Sequence, residues 1–306
     1  MASLDRHHAV CEAQPVGEDR PGEIPFTGAI DVTVTRGTIA SDTGLLLIVH
    51  GMGSDYDQFD DLSRRWALRY DMLCLQVRDR HAGPRGLEIP YDFGKYQTLD
   101  YLRAVYWALQ EFELNTRRVI VWGGSGGGQI ALLSMCYAPH LFAGGVALAP
   151  IVLPTMPGQM SAPEWQDGWM RRCVPEGPVP ADELEVRNPL ALCGNIDAPV
   201  VLMHGSEDRE VAVEHSRLMC KALRRAGGTV TYHEILGGDH QFAGGPAGFE
   251  SREQATETVA DDLLRDTRRP QTPQLSGHVV EVGKSWAVRY EPLPTLVRIG
   301  RNPPVD

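Results

Sequence analysis

No apolar run of about 18 residues occurs anywhere in the 306-residue chain, which excludes a helical membrane span. Residues 1–20, MASLDRHHAVCEAQPVGEDR, also have no apolar stretch able to form the core of a secretory signal, so a cytoplasmic location is expected. Positive charge is scarce: 29 Lys and Arg face 40 Asp and Glu, a formal charge of -11. Such a chain has no general electrostatic footprint for a phosphate backbone, and nucleic acid is not an expected partner. The six cysteines (Cys11, Cys74, Cys136, Cys173, Cys193 and Cys220) show neither CxxC pairs nor metal-ligand spacing, so they read as reduced packing residues and no metal is implied. What remains is ordinary globular composition, 42% hydrophobic and 23% charged, in a chain long enough to bury a large core.

Residues 1–25 are polar and rich in Gly, Pro and charge, and they read as a flexible arm outside the fold. IDVTVT at 30–35 alternates as a half-buried strand does. Short, continuous apolar runs follow: LLLIV (45–49), MLCLQV (72–77), RVIVW (118–122), GVALA (145–149) and PVVLM (199–203). Runs of this kind suit strands covered on both faces, as in a parallel sheet. Between them the apolar period becomes helical, with stripes through Phe59, Leu62, Trp66 and Tyr70, through Leu99, Leu102, Val105, Tyr106, Leu109 and Phe112, and through Leu218, Met219, Ala222, Leu223 and Ala226. A strand at 229–236 and a helix through Leu264, opened by a capping box at Ser251 and Gln254, complete the pattern. Alternating strands and helices predict a three-layer α/β fold with a mostly parallel central sheet over 26–268. Residues 151–190, rich in proline and holding two tryptophans, break the alternation and read as a cap insertion. Residues 269–306 form a C-terminal extension, with a β-hairpin as the expectation for HVVEVGKSWAVRYEP, packed on the domain or on a second subunit.

The segment RVIVWGGSGGGQIALLSM runs from a buried strand through a glycine turn around Ser125 into a helix. Gly123, Ser125 and Gly127 fit GxSxG, a turn that strains the serine backbone, lifts its hydroxyl above the sheet edge and needs neighbours without side chains. A serine is a weak nucleophile without a base. Of ten histidines, His240 in ILGGDHQF stands in a glycine turn just after a strand and is the best placed. The imidazole needs an anion to fix its tautomer; Asp208, after PVVLM in HGSED, fits, with Glu207 as the alternative. Asp239 adjoins His240 on the backbone, which points the two side chains apart. Acyl transfer also needs two amides at the developing oxyanion, here Gly126 after the serine and Met52 in HGMG after the first core strand, with Gly53 as the alternative.

Together these pieces resemble an α/β-hydrolase, and over residues 40–268 they are similar to the catalytic domain of the prolyl oligopeptidase family and to dienelactone hydrolase-like esterases. DAPVVLMHGSED, AGGTVTYHEILGGDH, VRDRHAGPRG and FGKYQTLDYLRAV extend the resemblance beyond the elbow. It implies the triad Ser125, Asp208 and His240. Only about 40 residues stand where those oligopeptidases carry a propeller, so propeller gating of peptides is not expected. HGMG is nearer to esterases than to peptidases that add a tyrosine to the oxyanion hole, and serine stands where dienelactone hydrolases use cysteine. The expectation is therefore a serine hydrolase of carboxylic esters or related acyl bonds, with no cofactor. Alternatives are a peptidase or amidase, a biosynthetic thioesterase, acyltransferase or cyclase, and a non-catalytic ligand-binding protein on this fold. The expected partner is a small-molecule acyl substrate, with no membrane involved; a homo-oligomer is compatible with the pattern. Met156, Trp165 and Trp169 in the insertion are candidate substrate-binding residues, with Met160 beside them.

Overall fold

The computed structural model describes residues 4–17, 26–52, 54, 56–81, 92–153 and 180–299. Its centre is an eight-stranded sheet: β1 (Asp5–Glu12), β2 (Ala29–Arg36), β3 (Gly44–Val49), β4 (Met72–Arg78), β5 (Val119–Gly124), β6 (Gly144–Leu148), β7 (Val200–Gly205) and β8 (Val230–Ile235). The spatial order is β1-β2-β4-β3-β5-β6-β7-β8. β1 and β2 run antiparallel to their neighbours, and the six strands from β4 to β8 pair in parallel.

Both faces of the sheet are covered, which is why its central strands are continuously apolar. Leu45, Leu47 and Val49 of β3 turn to one face and Leu46 and Ile48 to the other, the period of two that a pleated strand imposes. The first face packs on α2 (Lys95–Glu111), α3 (Gly126–Tyr137) and α6 (Glu214–Arg225), the second on α1 (Asp60–Tyr70) and α8 (Asp261–Asp266). Two short helices, α4 (Ala181–Glu185) and α5 (Pro189–Leu192), follow the proline-rich region, and α7 (Arg252–Val259) precedes α8. The Ser251 hydroxyl caps α7 by accepting the Gln254 N–H at 3.2 Å. Ala260 divides the single helix expected there into α7 and α8.

Two expectations change. Instead of an arm outside the fold, residues 5–12 form β1, paired with β2 from Asp5 opposite Arg36 to Glu12 opposite Ala29. β1 alternates exposed and covered positions, and backbone pairing orders it without a continuous apolar run. The C-terminal extension holds three strands rather than two: β9 (Val279–Glu281), β10 (Trp286–Tyr290) and β11 (Pro294–Arg298) form an antiparallel sheet. That sheet joins the core of the domain through Trp286, Val288, Tyr290 and Leu296. Tyr290 donates its hydroxyl to the Tyr137 carbonyl at 2.7 Å. Residues 154–179, most of the expected cap, lie outside the described residues, and Met156, Met160, Trp165 and Trp169 with them. Cys11, Cys74, Cys136, Cys193 and Cys220 are buried free thiols, with burial pushing Cys11 up to about 12; Cys173 lies outside the described residues.

Candidate active site

The chain leaves β3 for β4 on one side and returns to place β5 on the other, so the sheet's switch point lies between the carboxyl ends of β3 and β5. Crevices at such points are where open α/β sheets hold ligands. Val49 pairs with Gly123 there, so the loop after β3 and the turn after β5 emerge side by side.

Ser125 sits at that turn with φ 60° and ψ -125°, a backbone strained for a side chain with a Cβ. The strain is held by close packing: a Cβ on Gly123 would strike the Gly127 carbonyl oxygen, and one on Gly127 would lie 2.5 Å from the Val49 carbonyl oxygen. The Ser125 N–H is fixed by the Leu148 carbonyl at 2.8 Å. Gly126 opens α3, so its N–H is one of the first-turn donors that have no partner within the helix.

The other members arrive from the ends of β7 and β8. His240 Nε2 lies 3.2 Å from the Ser125 hydroxyl, and His240 Nδ1 lies 2.7 Å from Asp208 Oδ2. A carboxylate only accepts, so Nδ1 carries the proton and the Nε2 lone pair faces the serine. The second Asp208 oxygen accepts the N–H groups of Glu210 and Val211 at 2.8 and 2.9 Å. His204 Nε2 donates to the Val211 carbonyl at 2.9 Å and stands 3.2 Å from Asp208 Oδ2, while its Nδ1 accepts from Ser216 at 2.7 Å. Burial alone would raise the Asp208 carboxyl, but the hydrogen bonds from His204, His240 and Val211 outweigh it and hold the group well below the usual carboxylate range.

Three of the expected residues therefore converge, while the alternative acid Glu207 and the neighbouring Asp239 have other places. Glu207 is exposed. Asp239 folds the histidine loop instead, accepting the N–H groups of Gln241 and Ala243 at 2.8 and 3.0 Å. That loop is clipped to the acid loop: Glu207 N–H donates to the Gly238 carbonyl at 2.9 Å, and a Cβ on Gly205 would collide with the carbonyl oxygens of Gly238 and Asp239. Met52 lies in the turn after β3, and Gly51 runs so close that a Cβ there would stand 3.8 Å from that of Ser125. Gly53 lies outside the described residues.

A cleft of about 190 Å³ opens over these groups, lined by Met52, Ser125 and His240 and by Glu210, Arg252 and Glu253, which the sequence did not single out. Glu210 Oε2 stands 3.6 Å from His240 Nε2. His204 was missed as well, although its position four residues before Asp208 at the end of a buried strand is a usable signal. Among the described residues, no group of three His, Cys, Asp or Glu side chains is placed to hold a metal ion.

Comparison with known proteins identifies the family and the fold. The model of the prolyl oligopeptidase family matches residues 87–260, more than half of the chain. The acylamino-acid-releasing enzyme of Rattus norvegicus is 29% identical over 175 residues, covering 52% of this chain and 24% of the enzyme. Dipeptidyl peptidase family member 6 of Caenorhabditis elegans is 27% identical over 201 residues, covering 61% of this chain and 27% of that protein. The chain thus spans about a quarter of the length of these curated relatives. Among solved structures, the Pyrococcus horikoshii acylaminoacyl peptidase superimposes with a TM-score of 0.66 at 15% identity over 88% of this chain and 42% of its own. A thermostable esterase from Pseudomonas putida gives 0.62 at 16% identity, over 88% of this chain and 84% of its own. The fold is that of an α/β-hydrolase, and the chain belongs to the prolyl oligopeptidase family of serine hydrolases.

Proposed function

We propose that the protein cleaves a carboxylic ester or related acyl bond through an acyl-enzyme on Ser125. The observation that carries the reading is the unbroken chain from the Ser125 hydroxyl through His240 to Asp208, at 3.2 and 2.7 Å. In this mechanism Ser125 Oγ attacks the substrate carbonyl as His240 Nε2 takes its proton, and Asp208 stabilises the imidazolium. The N–H groups of Gly126 and Met52 receive the oxyanion. Collapse breaks the bond to the leaving group, which takes the proton from His240; water activated by the same imidazole then releases the acid and restores Ser125.

The matches to acylamino-acid-releasing enzymes favour a second reading, hydrolysis of N-acylated aminoacyl amides. Matched acetylalanine substrates, one an ester and one an anilide, separate the two. The ester reading predicts a much larger kcat/KM for the ester than its greater intrinsic lability accounts for, and comparable turnover of the anilide would favour the peptidase. Added alcohols and amines test for a transferase, which would give acylated acceptor instead of free acid. A small acyl compound as partner, the absence of nucleic-acid or membrane binding and a cytoplasmic site belong to the same proposal. Among the described residues, no helix is long and apolar enough to cross a membrane.

A further inference from the structure

Arg252 opens α7 and lines the cleft that holds Ser125 and His240. Only 8% of it is exposed, yet its Nε and Nη2 atoms have no hydrogen-bond partner. The guanidinium lies against the backbone one residue before the nucleophile: a Cβ on Gly124 would stand 2.9 Å from Arg252 Nη1. Burial pushes the guanidinium down to about 10, against the attraction of Asp208, Glu253, Glu210 and Asp239, so it remains a cation at neutral pH. None of those four carboxylates forms a hydrogen bond with it. A buried cation with open donors is costly unless something completes it.

We propose that Arg252 is a specificity-determining residue that anchors a carboxylate carried by the acyl substrate, a step that rests on the serine hydrolase reading above. The guanidinium forms part of the cleft wall with its Nε and Nη2 donors unsatisfied, and paired guanidinium N–H groups match the two oxygens of a carboxylate better than a single carbonyl oxygen. Glu210 and Glu253 line the same cleft, but the Glu210 side chain is 62% exposed and its repulsion is screened by water. Contact with the buried guanidinium acts at short range and outweighs it.

Two matched ester pairs test the proposal: phenyl hexanoate against monophenyl adipate, and phenyl butyrate against 3-carboxyphenyl butyrate. They place the carboxylate on the acyl side and on the leaving-group side respectively. The wild-type protein is expected to favour the carboxylate member of one pair by about tenfold or more in kcat/KM, mainly through KM. Arg252→Gln removes that preference, whatever it does to the neutral ester, and Arg252→Lys keeps the charge but only part of the preference. Should Arg252→Gln fail to fold, the Arg252→Lys ratio decides alone. No preference in the wild-type protein, or an undiminished preference in the variants, overturns the assignment while ester turnover leaves the hydrolase reading standing. A wild-type protein that cleaves none of the four esters removes both.

Discussion

At Asp208 one carboxylate serves two histidines, and that sharing decides what its replacement would do. Asp208→Asn keeps the shape but offers an amide where His240 Nδ1 needs an acceptor, leaving the imidazole free to take the wrong tautomer. Turnover of an activated ester is expected to fall by about 10^4-fold with the melting temperature little changed; a loss below tenfold would show that the acid is elsewhere. Asp208 and His240 were legible because each follows a strand at its carboxyl end, where the chain order of a nucleophile, acid and base has a recognisable pattern. Arg252 was not legible. Nothing near it in the sequence says that it becomes buried against Gly124, a contact made across more than a hundred residues.

Elements in this fold deliver the site by meeting without side chains between them. Gly205 ends β7 where the Gly238 and Asp239 carbonyls of the histidine loop cross it. Gly205→Ala is therefore expected to destabilise the fold by about 1–3 kcal/mol and to lower activity further by pushing His240 from Ser125, as read by denaturant unfolding and ester hydrolysis in parallel. Unchanged activity would show that the two loops adjust independently. A second element-scale contact is acid-sensitive. His215 in α6 accepts the Val152 N–H through Nδ1 at 3.1 Å, which ties the helix to the chain just after β6. Burial pushes its imidazole down from 6.5 to about 4, helped by His204 and opposed by Glu214 and Asp208. The neutral form is favoured in the fold, so its contribution is full above 6.5 and disappears as the pH falls toward 4. Melting temperature is expected to drop across that window in the wild-type protein and to drop less in His215→Gln. The parallel strands were legible from their apolar runs, whereas β1 was not: DRHHAVCE is an edge strand whose order comes from backbone pairing with β2.

Over the whole molecule, the two ends of the chain hold one another across the domain. Gln14, just beyond β1, is 4% exposed; its side chain accepts the Leu296 N–H at 2.7 Å and donates to the Leu296 carbonyl at 2.8 Å. Arg103 of α2 reaches the same sheet, donating to the Pro294 carbonyl at 3.0 Å. Gln14→Ala leaves both Leu296 groups buried without partners and is expected to cost about 1–3 kcal/mol in denaturant unfolding, with the active site intact. A neutral result would mean that water replaces the side chain. This clasp was illegible in the sequence because it joins residues 282 positions apart, both in segments that lie outside the repeating α/β pattern.

Everything proposed for this protein depends on the geometry at the end of β5 making Ser125 the nucleophile. The deciding experiment is reaction with a fluorophosphonate, followed by mass spectrometric mapping of the adduct in the wild-type protein and in Ser125→Ala and His240→Ala. A single adduct on Ser125 is expected, abolished in the first variant and strongly slowed in the second. An adduct on another residue, or labelling that survives Ser125→Ala, would place the nucleophile elsewhere.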